Sequence, residues 1–312
     1  MKIKNIFLVA LLLTLVAQVG LAKVPDKYFK KKNESSIANG NSNNNGNGNG
    51  NGISFANPYG IAVDEKTGFM YVSNVNGELT AKDGNGYISR LKSDGTVDEI
   101  KFINGGNSKD ALNAPTGMVV LNTTLYVCDI DALRAYNLLN KKFMFNVNFG
   151  DLPVQHFYDI TIGPDGALYV TDADANRVYR IDVSKQHEVT TFIANLDLGG
   201  PRGIVWYPLS QSFIVAGAVS GKITAYDKNG ATKQLPSIFL KAPQGLGLDD
   251  SGNIYVADMS LENVYLIPSN FALLGFKQGL QEPTGIAYNR MSKKIAISSF
   301  KGNEVVFVEP AQ

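Results

Sequence analysis

The chain of 312 residues contains one cysteine, Cys128. No intramolecular disulfide can form, so core burial alone must hold the fold. Cys128 reads as a small apolar strand residue, since no His or Asp spacing marks it as a nucleophile. Neither sign of charge is in excess: 29 Lys and Arg face 28 Asp and Glu. That leaves no electrostatic footprint for nucleic acid. The one basic cluster, Lys27 with Lys30, Lys31 and Lys32, precedes the repeated region and reads as a solvated charge run. Beyond the first two dozen residues there is no apolar run of spanning length, and after Pro58 no stretch carries a helical period.

The N-terminus is a targeting segment. Lys2 and Lys4 supply its charge, residues 6–16 are apolar apart from Thr14, and Gly20-Leu21-Ala22 forms a small-residue cleavage site. The apolar core is short for a span of about 20 residues, which argues against an uncleaved anchor. No Cys follows it, which argues against a lipoprotein. We therefore read 1–22 as a signal peptide and expect a soluble, periplasmic or extracellular product. Residues 23–52 follow as a flexible extension, of which 40–52 consist only of Gly, Asn and Ser. Such a tract has nothing to bury against its ordering entropy. Asn33-Glu34-Ser35 and Asn122-Thr123-Thr124 match the N-glycosylation pattern, which matters only in a eukaryotic host.

From Pro58 the sequence repeats. Five units open with Pro-x-Gly: Pro58-Tyr59-Gly60, Pro115-Thr116-Gly117, Pro201-Arg202-Gly203, Pro243-Gln244-Gly245 and Pro283-Thr284-Gly285. The third unit opens with Phe157-Tyr158-Asp159 instead. Successive third positions lie 57, 42, 44, 42 and 40 residues apart, the period of a four-stranded propeller blade. Each unit carries short β-branched and aromatic strands between Gly, Asp and Asn turns, such as Leu168-Tyr169-Val170-Thr171-Asp172 after Pro164-Asp165-Gly166. The fourth strands are the least regular, for example residues 189–193 and 235–240. A linear solenoid would need polar end units, and the first and last units here are ordinary. The expected fold is therefore all-β, a six-bladed β-propeller of four-stranded antiparallel blades over residues 53–312. The last unit has room for three strands only, so an N-terminal strand must close the ring. Ile53, Ser54 and Phe55 are the best candidate, with residues 23–29 the alternative.

These units resemble NHL repeats, notably Val170-Thr171-Asp172-Ala173-Asp174-Ala175-Asn176-Arg177-Val178. Gly252-Asn253-Ile254-Tyr255-Val256-Ala257-Asp258 is similar to strands of the SMP-30/gluconolactonase-like group. The resemblance implies a propeller but not one activity, since the superfamily hosts lactonases, lyases, receptors and scaffolds. Gluconolactonase-type relatives hold a divalent metal with Glu, Asn and Asp at the inner-strand openings. The middle residues here are Tyr59, Thr116, Tyr158, Arg202, Gln244 and Thr284, none of them such a ligand. Amidating lyases of the NHL fold rest on several zinc-binding histidines, whereas this chain has only His156 and His187. No metal ligands are assigned and no cofactor is expected. Asp83-Gly84-Asn85-Gly86 has the flavour of a Ca²⁺ loop but lacks the bidentate Glu.

Site candidates follow from topology. In a four-stranded meander the loop into the first strand and the loop from second to third strand share a face. Nearly all the extra length of the first unit falls on that face, where binding loops reside. The same face collects the second-strand ends Asn74, Asp129, Asp172 and Asp258, which either cap the next turn or meet a ligand. Asp159 and Arg202 open inner strands of successive blades. They could pair with each other, or Arg202 could hold a ligand carboxylate. Tyr59, Tyr158 and His156 line or rim the same opening, as channel plugs or as stacking surfaces. The expected role is a monomeric binding or scaffold module for a small molecule, glycan or protein, with no nucleic acid and no membrane insertion. The alternative is a metal-dependent hydrolase of lactonase type.

Overall fold

A computed structural model describes residues 36–38, 54–105, 110–236 and 238–311. The segment read as a signal peptide, the Lys27–Lys32 cluster, the Gly/Asn tract, Ile53 and the alternative closing segment 23–29 lie outside the described residues. The fold is a six-bladed β-propeller: six four-stranded antiparallel sheets, five of them simple meanders from the channel outward and the sixth completed by a strand from the N-terminal side. The inner strands are Pro58–Val63, Pro115–Leu121, Phe157–Ile162, Pro201–Tyr207, Pro243–Leu248 and Pro283–Asn289. Every one starts at the opening triplet recognised in the sequence, and every one is bulged between its first and fourth residues.

The blades bury their faces on each other. Tyr71 and Ile88 of blade 1 pack with Leu125 and Val127 of blade 2, and Cys128 with Phe157, Val170 and Tyr179 of blade 3. Phe213 and Val215 meet Tyr169. Corresponding clusters fill the remaining interfaces, the last of them joining Val72 and Leu91 to Val305 and Phe307. Each fully buried side chain of this size contributes about 1.5–3 kcal/mol, so six such interfaces stabilise the ring without a disulfide.

The opening glycines are needed by the close approach of the inner strands. A Cβ at Gly60, Gly117, Gly203, Gly245 or Gly285 would overlap the backbone of the next blade at Thr116, Tyr158 and Asp159, Gln244, Thr284 or Tyr59 respectively. Hydroxyls brace the same level: Ser73 donates to the Thr116 carbonyl at 2.7 Å and Thr171 to the Arg202 carbonyl at 2.7 Å.

Two expectations require correction. The fourth strand of blade 4 is Thr232–Lys233, not residues 235–240. Leu235, Ile238 and Leu240 instead insert into the interface with blade 5, and only a single bridge joins Phe239 to Lys222. The ring is closed by Ser36–Ala38, which pairs antiparallel with Glu304–Val308, and not by residues 53–55. Ser54 and Phe55 form no strand, although the Phe55 side chain is buried between blades 6 and 1. The closing strand thus lies within the segment read as a flexible extension.

Candidate functional site

The structure separates the nine sequence-derived candidates into two groups. Asn74, Asp129, Asp172 and Asp258 are completely buried and act as clips. Asp129 accepts the backbone N–H of Asn113 and Ala114, and also binds Arg134 at 2.6 Å. Asp172 accepts from Gln155, His156 and Ala175. Asp258 accepts from Lys241, Ala242, Ser260 and Leu261. Asn74 accepts from Ala56 and donates to Val72 and Ser89. In each case the end of a second strand grips the backbone just ahead of an opening triplet, using the acceptor capacity that a ligand would need.

Of the other five candidates, Tyr59, Tyr158, Asp159 and Arg202 line the central channel and His156 backs Tyr158. Tyr59, Tyr158 and Arg202 stand at the middle positions of their triplets and meet across the axis. The Arg202 guanidinium lies 4.3 Å over the Tyr158 ring and donates to Gln244 Oε1 at 2.8 Å. The Tyr59 hydroxyl donates to the same oxygen at 3.0 Å, while Gln244 Nε2 donates to the Ala242 carbonyl. Burial raises the Tyr59 phenol, opposed by nearby Arg202, and raises Tyr158 in the same way. Both therefore stay protonated donors at neutral pH. His156 stacks on the far side of Tyr158, with ring centroids 4.3 Å apart. Its Nδ1 lies 3.6 Å from Asp174 Oδ2, and its buried Nε2 has no hydrogen-bond partner. Burial lowers the His156 pKa despite Asp174, so the ring is neutral in a neutral solution.

Asp159 does not pair with Arg202. Its carboxylate accepts its neighbour Ile160 N–H at 2.9 Å and Ile204 N–H of the next blade at 3.0 Å. The group lies deep in the molecule yet is not sealed, because part of its surface faces channel space. Desolvation pushes its pKa up to about 7, against the opposing pull of those two N–H bonds.

Tyr59, Tyr158, Asp159, Arg202 and Gln244 border a channel cavity of about 130 Å³, and His156 stands behind Tyr158 outside its lining. Its polar wall is Tyr59, Tyr158, Asp159, Arg202 and Gln244. Its apolar wall is the fourth residue of each inner strand: Ile61, Met118, Ile160, Ile204, Leu246 and Ile286. Gln244 is the polar residue that sequence reasoning noted but did not select. An uncharged amide in a triplet carries no charge signal; its burial to 1 % exposure is what makes it a hub. The apolar ring was legible in principle, as the residue directly after each opening triplet.

The divalent ion implied by the gluconolactonase resemblance does not fit these residues. The polar wall offers a single carboxylate, and among the described residues no group of three or more His, Cys, Asp or Glu side chains could hold a metal. Asp83 and Asn85 form a local turn, with the Asn85 N–H and amide both bonded to Asp83.

No protein-family model matches the chain and no curated protein matches it. Solved structures do. A catalytically inactive variant of virginiamycin B lyase from Staphylococcus aureus, determined with quinupristin, is 16 % identical with a TM-score of 0.58; the match covers 89 % of this chain and 100 % of that one. A streptogramin B lyase structure is 15 % identical with a TM-score of 0.59, over 88 % of this chain and 97 % of the other. A gluconolactonase from Xanthomonas campestris is 16 % identical with a TM-score of 0.64, over 81 % of this chain and 85 % of that one. The chain shares their six-bladed propeller fold, and at this identity the likeness is one of fold alone.

Proposed function

We propose that this protein is an exported binding propeller that takes a small anionic molecule into its central channel, with Arg202 as the anchor. The observation that carries this reading is the company Arg202 keeps. Its partners are neutral, a glutamine amide and an aromatic face, and among the described residues it has no carboxylate within ion-pair distance. A half-buried guanidinium normally finds an anion, and its planar fork suits a carboxylate. Tyr158 and Gln244 hold it against the channel wall, so little is left to order when a ligand arrives.

Cavity size favours a small molecule over a glycan or a protein. Drug-sized ligands occupy pockets of roughly 300–1,000 Å³, whereas this cavity measures about 130 Å³. A lactonase of the metal-dependent type would need an acidic ligand set that the wall does not supply. The leader-like sequence supports work in a bacterial periplasm or exterior.

The test is a thermal-shift and calorimetric screen of short carboxylates, comparing the native chain with Arg202→Ala. Removing Arg202 from Tyr158 and Gln244 should cost the unliganded protein about 1–2 kcal/mol, and ligand-dependent stabilisation should disappear. Unchanged ligand shifts in Arg202→Ala would refute the anchor.

A further inference from the structure

The channel wall carries a second charge-bearing group. Five of the six inner strands have glycine at the third triplet position, where the backbone of the next blade leaves no room for a side chain. Blade 3 alone places a side chain there, Asp159. Its carboxylate sits so close to blade 2 that a Cβ on Gly117 would meet Oδ1 at 2.6 Å. Each oxygen accepts one N–H, which leaves acceptor capacity on both. No cation lies within ion-pair distance of it among the described residues. The same cavity thus presents an acid without a base and, at Arg202, a base without an acid. The two are not joined to each other.

From this we infer that the channel ligand is a small zwitterion, an amino acid whose carboxylate meets Arg202 and whose ammonium meets Asp159, with its apolar part on the ring of Ile61, Ile160, Ile204 and Leu246. The inference rests on the Arg202 reading and adds the second charge to it. A simple carboxylate would satisfy Arg202 and leave Asp159 facing an apolar ring. A simple amine would do the reverse. Only a molecule carrying both charges answers both groups without delivering net charge to the channel. Buried carboxyls resist ionisation, and Asp159 is raised to about 7 by desolvation. An incoming ammonium favours the ionised form, so binding near neutral pH expels protons from Asp159.

Isothermal titration calorimetry of the full chain decides the matter with matched probes. L-leucine carries both charges, 4-methylpentanoate lacks the ammonium, and 3-methylbutylamine lacks the carboxylate; glycine and 4-aminobutanoate vary the bulk and the charge spacing. At least one zwitterion should bind about tenfold or more tighter than 4-methylpentanoate. Asp159→Asn should erase that advantage, so that the best zwitterion and 4-methylpentanoate bind the variant within about twofold of each other. Titrations at pH 7 in buffers of different ionisation enthalpy should show proton release with the zwitterion and not with the acid, a readout on the native chain that does not depend on any variant. If 4-methylpentanoate binds as tightly as every zwitterion, or if the advantage survives Asp159→Asn, the ammonium site is wrong and the Arg202 anchor stands. If none of the acids or zwitterions binds, both readings fall.

Discussion

Asp159 shows how one side chain records a choice between stability and function. Its pKa is raised from the ordinary 3.8 to about 7, so the folded protein holds a proton that the unfolded chain has already released. Across roughly pH 4 to 7 the native state binds more protons than the unfolded state, and stability falls as pH rises. Above the folded pKa the slope ends. His156 acts in the opposite sense: its lowered pKa makes the unfolded state the better proton acceptor just below its ordinary 6.5, which favours folding as pH rises. Comparing the native chain with Asp159→Asn cancels the histidine and every other common group. The native Tm should decline relative to that of Asp159→Asn between about pH 4 and 7, measured by circular dichroism. Parallel curves would show that Asp159 ionises freely in the fold. At this scale the sequence was partly legible. The one acid among six triplets identified Asp159, and the one cation identified Arg202. Pairing between them could not be judged, because the direction in which a side chain leaves a bulged strand depends on blade geometry. Gln244 was passed over because buried amides announce themselves through hydrogen bonds rather than charge.

At the level of the strand, the repeated unit is a device for fixing the opening triplet. The second strand ends in Asn74, Asp129, Asp172 or Asp258, and that residue grips the backbone entering the inner strand of its own blade, while Asp172 and Asp258 also cap the turn that follows them. The period and the Asp at the strand end were both visible in the sequence; the distant half of the grip was not, because its partners lie some 15–17 residues away. Asp258→Ala would orphan the four N–H groups of Lys241, Ala242, Ser260 and Leu261, at a cost of about 2–4 kcal/mol if water reaches some of them. Asp258→Asn keeps one acceptor oxygen and should recover part of that loss. Thermal melts should rank native above Asn above Ala, with calorimetric ligand affinity unchanged in all three. A stable Asp258→Ala protein that has lost binding would turn this clip into a ligand contact. The misread strand in blade 4 teaches a related lesson. Alternating burial at Ile238, Phe239 and Leu240 imitates a strand, yet the apolar groups fill the neighbouring interface without a ladder.

For the ring as a whole, the decisive question is what covers the outer edge of blade 6. The three C-terminal strands Pro283–Asn289, Lys294–Ser299 and Glu304–Val308 leave that edge open, and an open edge invites pairing with another chain. Phe55 was a reasonable candidate, and it does reach the interface of blades 6 and 1. Its backbone cannot reach the outer edge. Chain geometry allows about 3.3–3.6 Å per extended residue, while the outer strand stands three strand spacings, about 14 Å, from the inner one. Ala56 and Asn57 alone separate Phe55 from Pro58, and Ser54 is already held to blade 1 by the Tyr87 hydroxyl at 2.6 Å. A strand further upstream meets the distance, and Ser36–Ala38 takes the edge with Ser36 opposite Phe307 and Ala38 opposite Val305. The closing strand therefore lies inside residues 23–52, which read in the sequence as a flexible extension. A chain beginning at Ser35 should melt with one beginning at Lys23. A chain beginning at Gly40 should lose about 1–3 kcal/mol, or about 2–10 °C in Tm, and its uncovered edge should make it self-associate with rising concentration in light scattering. Phe55→Ala in the chain beginning at Lys23 should also lower the Tm, by removing core burial, but without that self-association. The difference between the two defects separates packing from edge closure: if the chain beginning at Gly40 melts normally and stays monomeric, Ser36–Ala38 does not seal the ring.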